Sequence, residues 1–180
     1  YEPDINSTLL NYYQDTTLQK LIADVEEQYS DMEDVNQDLT KAFTKAKKEI
    51  KNITIPTIYT QIGAFDQSII VGEQTIGISL DKYLGADYPL YQKYYHANQR
   101  TTMTREYITP DCLFFYLMSL YPMKNAENSN QQAKDMHTAR LMYVTNQLVG
   151  REAFNTNGVK TVEKYMKRHD KLTLNGLLIQ

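Results

Sequence analysis

The 180 residues contain no tryptophan, a single cysteine, five prolines and seven glycines. With Cys112 alone, no disulfide can close within the chain, and its place in an apolar run marks it as a small buried thiol rather than a reactive one. No apolar run approaches the roughly 20 residues that a helix needs to cross a bilayer. Charge of one sign is also missing. Lys and Arg number 19 against 22 Asp and Glu, a formal net charge of −3, and they form no basic block or stripe of the kind a phosphate backbone requires. Nucleic acid is therefore not an expected partner. There is no glycine-rich phosphate loop, no Gly-x-Ser-x-Gly elbow, no internal repeat and no low-complexity tract. The chain opens on Tyr1 rather than Met, which suggests a removed leader to be left out of fold reasoning.

What is abundant is tyrosine, fifteen of them against five phenylalanines. Tyrosine suits half-buried positions with one wet end, a pattern that suggests binding surface. The length fits one domain, 1–180, with a sizeable core. That core is expected around a helix over 109–121. Thr109 can cap it, Pro110 presets φ in the first turn, and Asp111 places negative charge where the helix dipole favours it. From Cys112 to Leu120 only Ser119 is strongly polar, so the helix should be covered on all sides, and Pro122 ends it.

Residues 1–15 read as a poorly ordered lead-in with at most one helical turn around Leu9 and Leu10. Leu18, Leu21, Ile22, Val25 and Tyr29, then Val35, Leu39, Phe43, Ala46 and Ile50, fall at helical spacing and predict a helical hairpin over 16–52. At Ile53 the period changes to two. Strands are expected at 53–62, 67–71 and 75–80, forming an antiparallel meander over 53–82 with Pro56 at an edge and Gly85 closing a helical turn after it. The remainder, 83–180, reads as helical: a tyrosine-rich segment at 88–95, the core helix, an exposed loop at 123–130, and a long helix over 131–149 with Ala133, His137, Leu141, Val144 and Leu148 on one stripe. A last helix follows, striped by Val159, Val162, Met166 and His169.

Catalytic motifs do not emerge from this pass. Two histidines one turn apart around a glutamate would point both rings at one zinc ion, but His96, His137 and His169 each stand alone. His137, with Arg140 one turn on, reads as a core histidine or as a pocket residue. Asp81 and Lys82 read as a turn and a solvated lysine, and the tyrosines at 88–95 as partial core or as an aromatic binding wall.

The segment Ile78-Ser79-Leu80-Asp81-Lys82-Tyr83-Leu84-Gly85-Ala86-Asp87-Tyr88-Pro89-Leu90-Tyr91 resembles the strand-to-helix segment of the gliding-motility lipoprotein GldB family of Bacteroidota, whose relatives are similar to predicted zincin-type zinc peptidases. Gly158 to Met166 and Leu172 to Leu178 resemble that family's C-terminal helix and closing segment, so the likeness runs from about Ile55 to the end. Departures accompany it. Where the peptidase-like relatives carry His-Glu-x-x-His, this chain has Pro110-Asp111-Cys112-Leu113-Phe114-Phe115-Tyr116-Leu117. His137-Thr138 stands where the family has a Glu-Gly pair, and glycines and an aromatic are missing around Lys160 and Thr161.

The resemblance implies an α+β domain of zincin-like layout and a non-catalytic lipoprotein of the cell envelope, with no catalytic residues, metal or cofactor. A lipid anchor upstream of Tyr1 would hold it on a membrane facing the periplasm or cell surface. Its partner would be a protein, peptide or envelope component, taken up in a groove between the third strand, the core helix and the helix of His137. Tyr83, Tyr116, His137, Arg140 and Tyr143 are the residues expected there. Two other classes compete: a metallopeptidase or other hydrolase with an unorthodox site drawn from His96, Glu106, His137 and His169, and an assembly protein presenting an aromatic patch without a pocket.

Overall fold

A computed structural model describes residues 15–179, so the turn expected around Leu9 and Leu10 lies outside the described residues. Helix α1 (Thr16–Gln28) starts where the Asp15 carboxylate accepts the backbone N–H groups of Thr17 at 2.7 Å and Leu18 at 3.3 Å, and it buries Leu18, Leu21 and Val25. Helix α2 (Glu33–Glu49) carries Glu33 and Asp34 in its first turn and Lys47 and Lys48 in its last, the order the helix dipole favours. The short join does not make these helices close neighbours along their length. α1 packs on the 3₁₀ turn Leu80–Lys82, whereas α2 packs against the core helix and the long helix that follows it.

Strands β1 (Thr57–Gln61), β2 (Ile69–Gly72) and β3 (Thr75–Ser79) form one sheet, but not the expected antiparallel meander. Their order is β1-β3-β2. β2 runs antiparallel to β3, with Ile69 opposite Ile78, while β1 runs parallel to β3, with Thr57 opposite Thr75 and Gln61 opposite Ser79. The cause is Asp81, fully buried just past β3. Its two carboxylate oxygens accept the N–H groups of Gly63 and Phe65, each at 2.7 Å, just past β1. A meander would leave β2 between those two strand ends; the clamp brings them side by side. The central place then falls to β3, whose inward residues Ile76 and Ile78 are fully buried. β1 begins only after Pro56 and lies at an edge, as a proline that cannot donate requires.

Lys82 is not the solvated lysine expected. It is half-buried, donates to the carbonyls of Phe65 and Asp66 and to the Tyr95 hydroxyl, and sits 4.7 Å from the centre of the Tyr95 ring. Gly85 then takes φ +114°, and helices α3 (Pro89–Tyr94) and α4 (Ala97–Arg100) follow. Tyr91 of α3 is fully buried, donates to the Asp81 carbonyl and accepts the Leu84 N–H, with Phe65, Tyr88 and Tyr95 edge-on around it. That much of the tyrosine segment is core; Tyr94 alone of its tyrosines is exposed.

The core helix, α5 (Ile108–Leu120), follows a 3₁₀ turn at Arg105–Tyr107. Thr109 lies buried inside it rather than capping it. Nor is it covered on all sides: Ile108, Cys112, Leu113 and Leu117 are completely buried, but Met118 and Leu120 reach solvent at 39% and 44% exposure. It packs on β2, β3, α2 and α6 (Gln131–Val149), which Asn130 caps and Gly150, at φ +76°, ends. Helix α7 (Asn157–Arg168) lies along α6, and α8 (Leu174–Leu178) also packs on it. His169 leaves the apolar stripe assigned to it. It is exposed at the end of α7, stacked on the Tyr165 ring. The architecture is thus α+β, helices around a small mixed sheet.

Candidate functional site: a groove between the β2 edge and the core helix

Of the five residues expected to share one groove, two are consumed by the core. Tyr83 is 1% exposed: its hydroxyl donates to Asp111 Oδ2 at 2.8 Å and its carbonyl accepts the Tyr29 hydroxyl at 2.7 Å. Tyr116, 3% exposed, donates to the Thr54 carbonyl at 2.8 Å and meets the Phe43 ring edge-on. Neither can touch a partner. Tyr143 is half-buried in a separate polar depression beside Lys45, Asn146 and Arg151. Only His137 and Arg140 remain together, half-buried one turn apart on α6. His137 Nε2 is shut off from solvent without a hydrogen-bond partner, and desolvation holds the ring's pKa below its ordinary value despite a hydrogen bond that the ring donates to the Tyr121 backbone.

A different depression carries the features of a site. Between β2 and α5 opens a groove of about 580 Å³. Ile69 and Val71 form its strand wall, Phe115 and Met118 its helix wall, and Lys82 and Ser68 its polar rim. Among the described residues β2 is an edge strand paired only with β3, so one of its hydrogen-bonding sides faces away from the sheet. On α5, spacings of three and four residues put Asp111, Phe115 and Met118 on one face, which places the acid one turn behind the groove. Burial pushes Asp111 up to about 7, the hydrogen bond from Tyr83 offsetting part of the rise. Ser68 is the other polar side chain at the Tyr83 hydroxyl. Next to Asp111, the completely buried Cys112 has its thiol pushed up by burial, as expected of an inert thiol. The groove therefore offers an apolar wall, a polar rim that holds Asp66 as well as the internally bonded Lys82, and a strand edge, a combination suited to holding a peptide.

The alternative metal set is not drawn together. His96 is exposed ahead of α4, Glu106 is exposed in the turn before α5, and His169 Nδ1 lies 2.8 Å from the Tyr165 carbonyl. Among the described residues, no three His, Cys, Asp or Glu side chains are placed to hold a metal ion. Sequence reasoning missed Phe115 and Met118 as surface, although one acid in an otherwise apolar face of the core helix was a signal that this face meets something besides hydrocarbon.

Residues 1–156 match the family model described as gliding motility protein GldB. No curated protein and no solved structure matches the chain. The chain belongs to the GldB family, one of gliding-motility-related lipoproteins of the cell envelope.

Proposed function

From that family membership as premise, we propose that this chain is a non-catalytic binding protein of the cell envelope, lipid-anchored upstream of Tyr1 on a membrane facing the periplasm or cell surface. The groove between β2 and α5 receives a peptide or protein partner. In this reading the fold is a zincin-like scaffold kept for binding. The observation that carries it is the use made of α5. The residues standing where the peptidase-like relatives have His-Glu-x-x-His are spent on packing: Pro110, Cys112, Leu113, Phe114, Tyr116 and Leu117 are buried, and Asp111 is tied to Tyr83. The same helix turns Phe115 and Met118 outward into the groove. Binding here removes apolar surface from water at about 25 cal/mol per Å², and the β2 edge supplies main-chain hydrogen bonds to an extended partner.

The test is site-specific photocrosslinking in the native envelope, with a benzophenone side chain at Met118 and, as control, at the exposed Lys47 of α2. A crosslinked species unique to position 118 and lost on Phe115→Asp is the expected result. The same products from both positions, or none from 118, would overturn the reading. Elemental analysis with and without added zinc tests the non-catalytic half. Near-stoichiometric zinc that is lost in His137→Ala would make the protein a metalloenzyme candidate instead.

A further inference from the structure

The opposite edge of the sheet carries a second groove. Among the described residues β1 pairs on one side only, with β3. Edge strands are commonly guarded by charge, by proline, by a bulge or by a covering element, and Pro56 guards only the entry to β1. Here residues 52–65 contain no charged side chain. Ile55, just before the strand, is 49% exposed, and Thr57, Thr60 and Gln61 are exposed as well. Alongside lies a groove of about 360 Å³, lined by Met32, Leu39 and Phe43 of α2 and by Ile55, Pro56 and Ile58, with Asn36 and Thr40 exposed on its α2 rim. The strand is held in place, because the Tyr116 hydroxyl donates to the Thr54 carbonyl and the Asp81 clamp holds the chain just past Gln61. A preorganised edge lowers the cost of ordering on binding.

We propose that the β1 edge and the α2 groove together bind an extended, uncharged peptide segment of another protein as an added strand. Three features select that occupant. A row of main-chain donors and acceptors recognises an extended chain. None of the side chains lining the groove is charged, so a charged residue entering it would lose its hydration without gaining a partner. The volume lies at the small end of ligand pockets, about 300–1,000 Å³, enough for the alternate side chains of one strand. A second copy fits less well, since α2 borders this edge in each copy and two-fold pairing of β1 would bring both α2 helices to one junction. This inference does not rest on the β2 groove and can stand or fall without it.

The probe is a short acetylated and amidated peptide alternating valine and threonine, paired with a version N-methylated at alternate residues, which cannot donate along one edge. Titration and amide hydrogen exchange are read on the full chain. The expected result is binding of the unmodified peptide, slowed exchange within Thr57–Gln61, loss of binding on N-methylation, and weakening of about tenfold or more in Ile55→Lys and Thr60→Lys. Both substitutions are at exposed positions, and an unchanged melting temperature checks that the variants fold. No binding of the unmodified peptide, equal binding of the methylated one, undiminished binding by the lysine variants, or protection appearing at β2 instead would each overturn the proposal. So would a dimer in sedimentation that Ile55→Lys dissociates, which would assign the edge to a second copy.

Discussion

The β2 edge of the sheet runs beside Asp66 and Lys82, with the part-buried Asp111–Tyr83 pair one helical turn behind, whereas the β1 edge runs along residues 52–65 without a single charged side chain. Both edges flank a mainly apolar groove, and both grooves are walled by a helix, α5 in one case and α2 in the other. The difference lies in what sits behind each wall. Behind the β2 groove stands the part-buried carboxyl of Asp111; the lining of the β1 groove, Ile78 and the Phe43 ring included, is uncharged. One small sheet thus presents an edge beside a raised carboxyl and an edge free of charge.

The sharpest way to break this comparison is to release β1 from β3. Asp81→Ala removes two hydrogen bonds to a buried carboxylate and strands the Gly63 and Phe65 N–H groups, for a loss of about 3–5 kcal/mol in urea unfolding. Hydrogen exchange should quicken first in β1 while the β2–β3 hairpin stays protected.

The second test uses pH. The folded-state value of Asp111, about 7, lies above its ordinary 3.8, so the folded chain holds this proton more tightly than the unfolded one. The associated stability is complete below about pH 4 and is lost as pH rises through about 7. At roughly 1.36 kcal/mol per unit, trimmed for residual exposure, the loss amounts to about 2–3 kcal/mol. His137, with a lowered value, contributes a slope of the opposite sign as pH falls below its ordinary 6.5. The informative quantity is therefore the difference between the wild type and Asp111→Asn, which should grow in favour of the variant between pH 5 and 8 in thermal melts. A pH-independent difference would mean that Asp111 is better solvated than its surroundings imply.

Smaller effects sharpen the contrast further. Tyr116→Phe should cost about 1 kcal/mol by freeing the Thr54 carbonyl, and it should loosen the approach to β1 without altering the pH profile. Met118→Ser, at a position 39% exposed, should leave stability in urea unfolding within about 0.5 kcal/mol.

Much of the helical part is legible in the sequence because its signals are local. Asn130 and Gly150 bracket α6, Asp15 starts α1, and apolar residues at helical spacing mark the buried faces. Sheet order is not local. It depends on contacts between Asp81 and backbone groups 16 and 18 residues away, which no period of two reports. Which tyrosines reach a site is not legible for a related reason. Tyrosine composition does not say whether a phenol meets solvent or, like those of Tyr83 and Tyr116, an acceptor inside the protein. An apolar run such as 112–120 likewise does not say which of its ends surfaces. Asp81 and Lys82 looked like turn residues because a buried clamp and a surface turn use the same side chains.

The strand order also has a consequence for synthesis. The β2–β3 hairpin closes through Glu73 and Gln74 alone, so it can form as soon as both strands leave the ribosome. β1 emerges before either, yet its only partner in the sheet among the described residues is the strand made last, and its clamp, Asp81, is made later still. For that interval a neutral, β-branched stretch travels unpaired in the nascent chain. A chaperone that shields extended segments would find its natural client there.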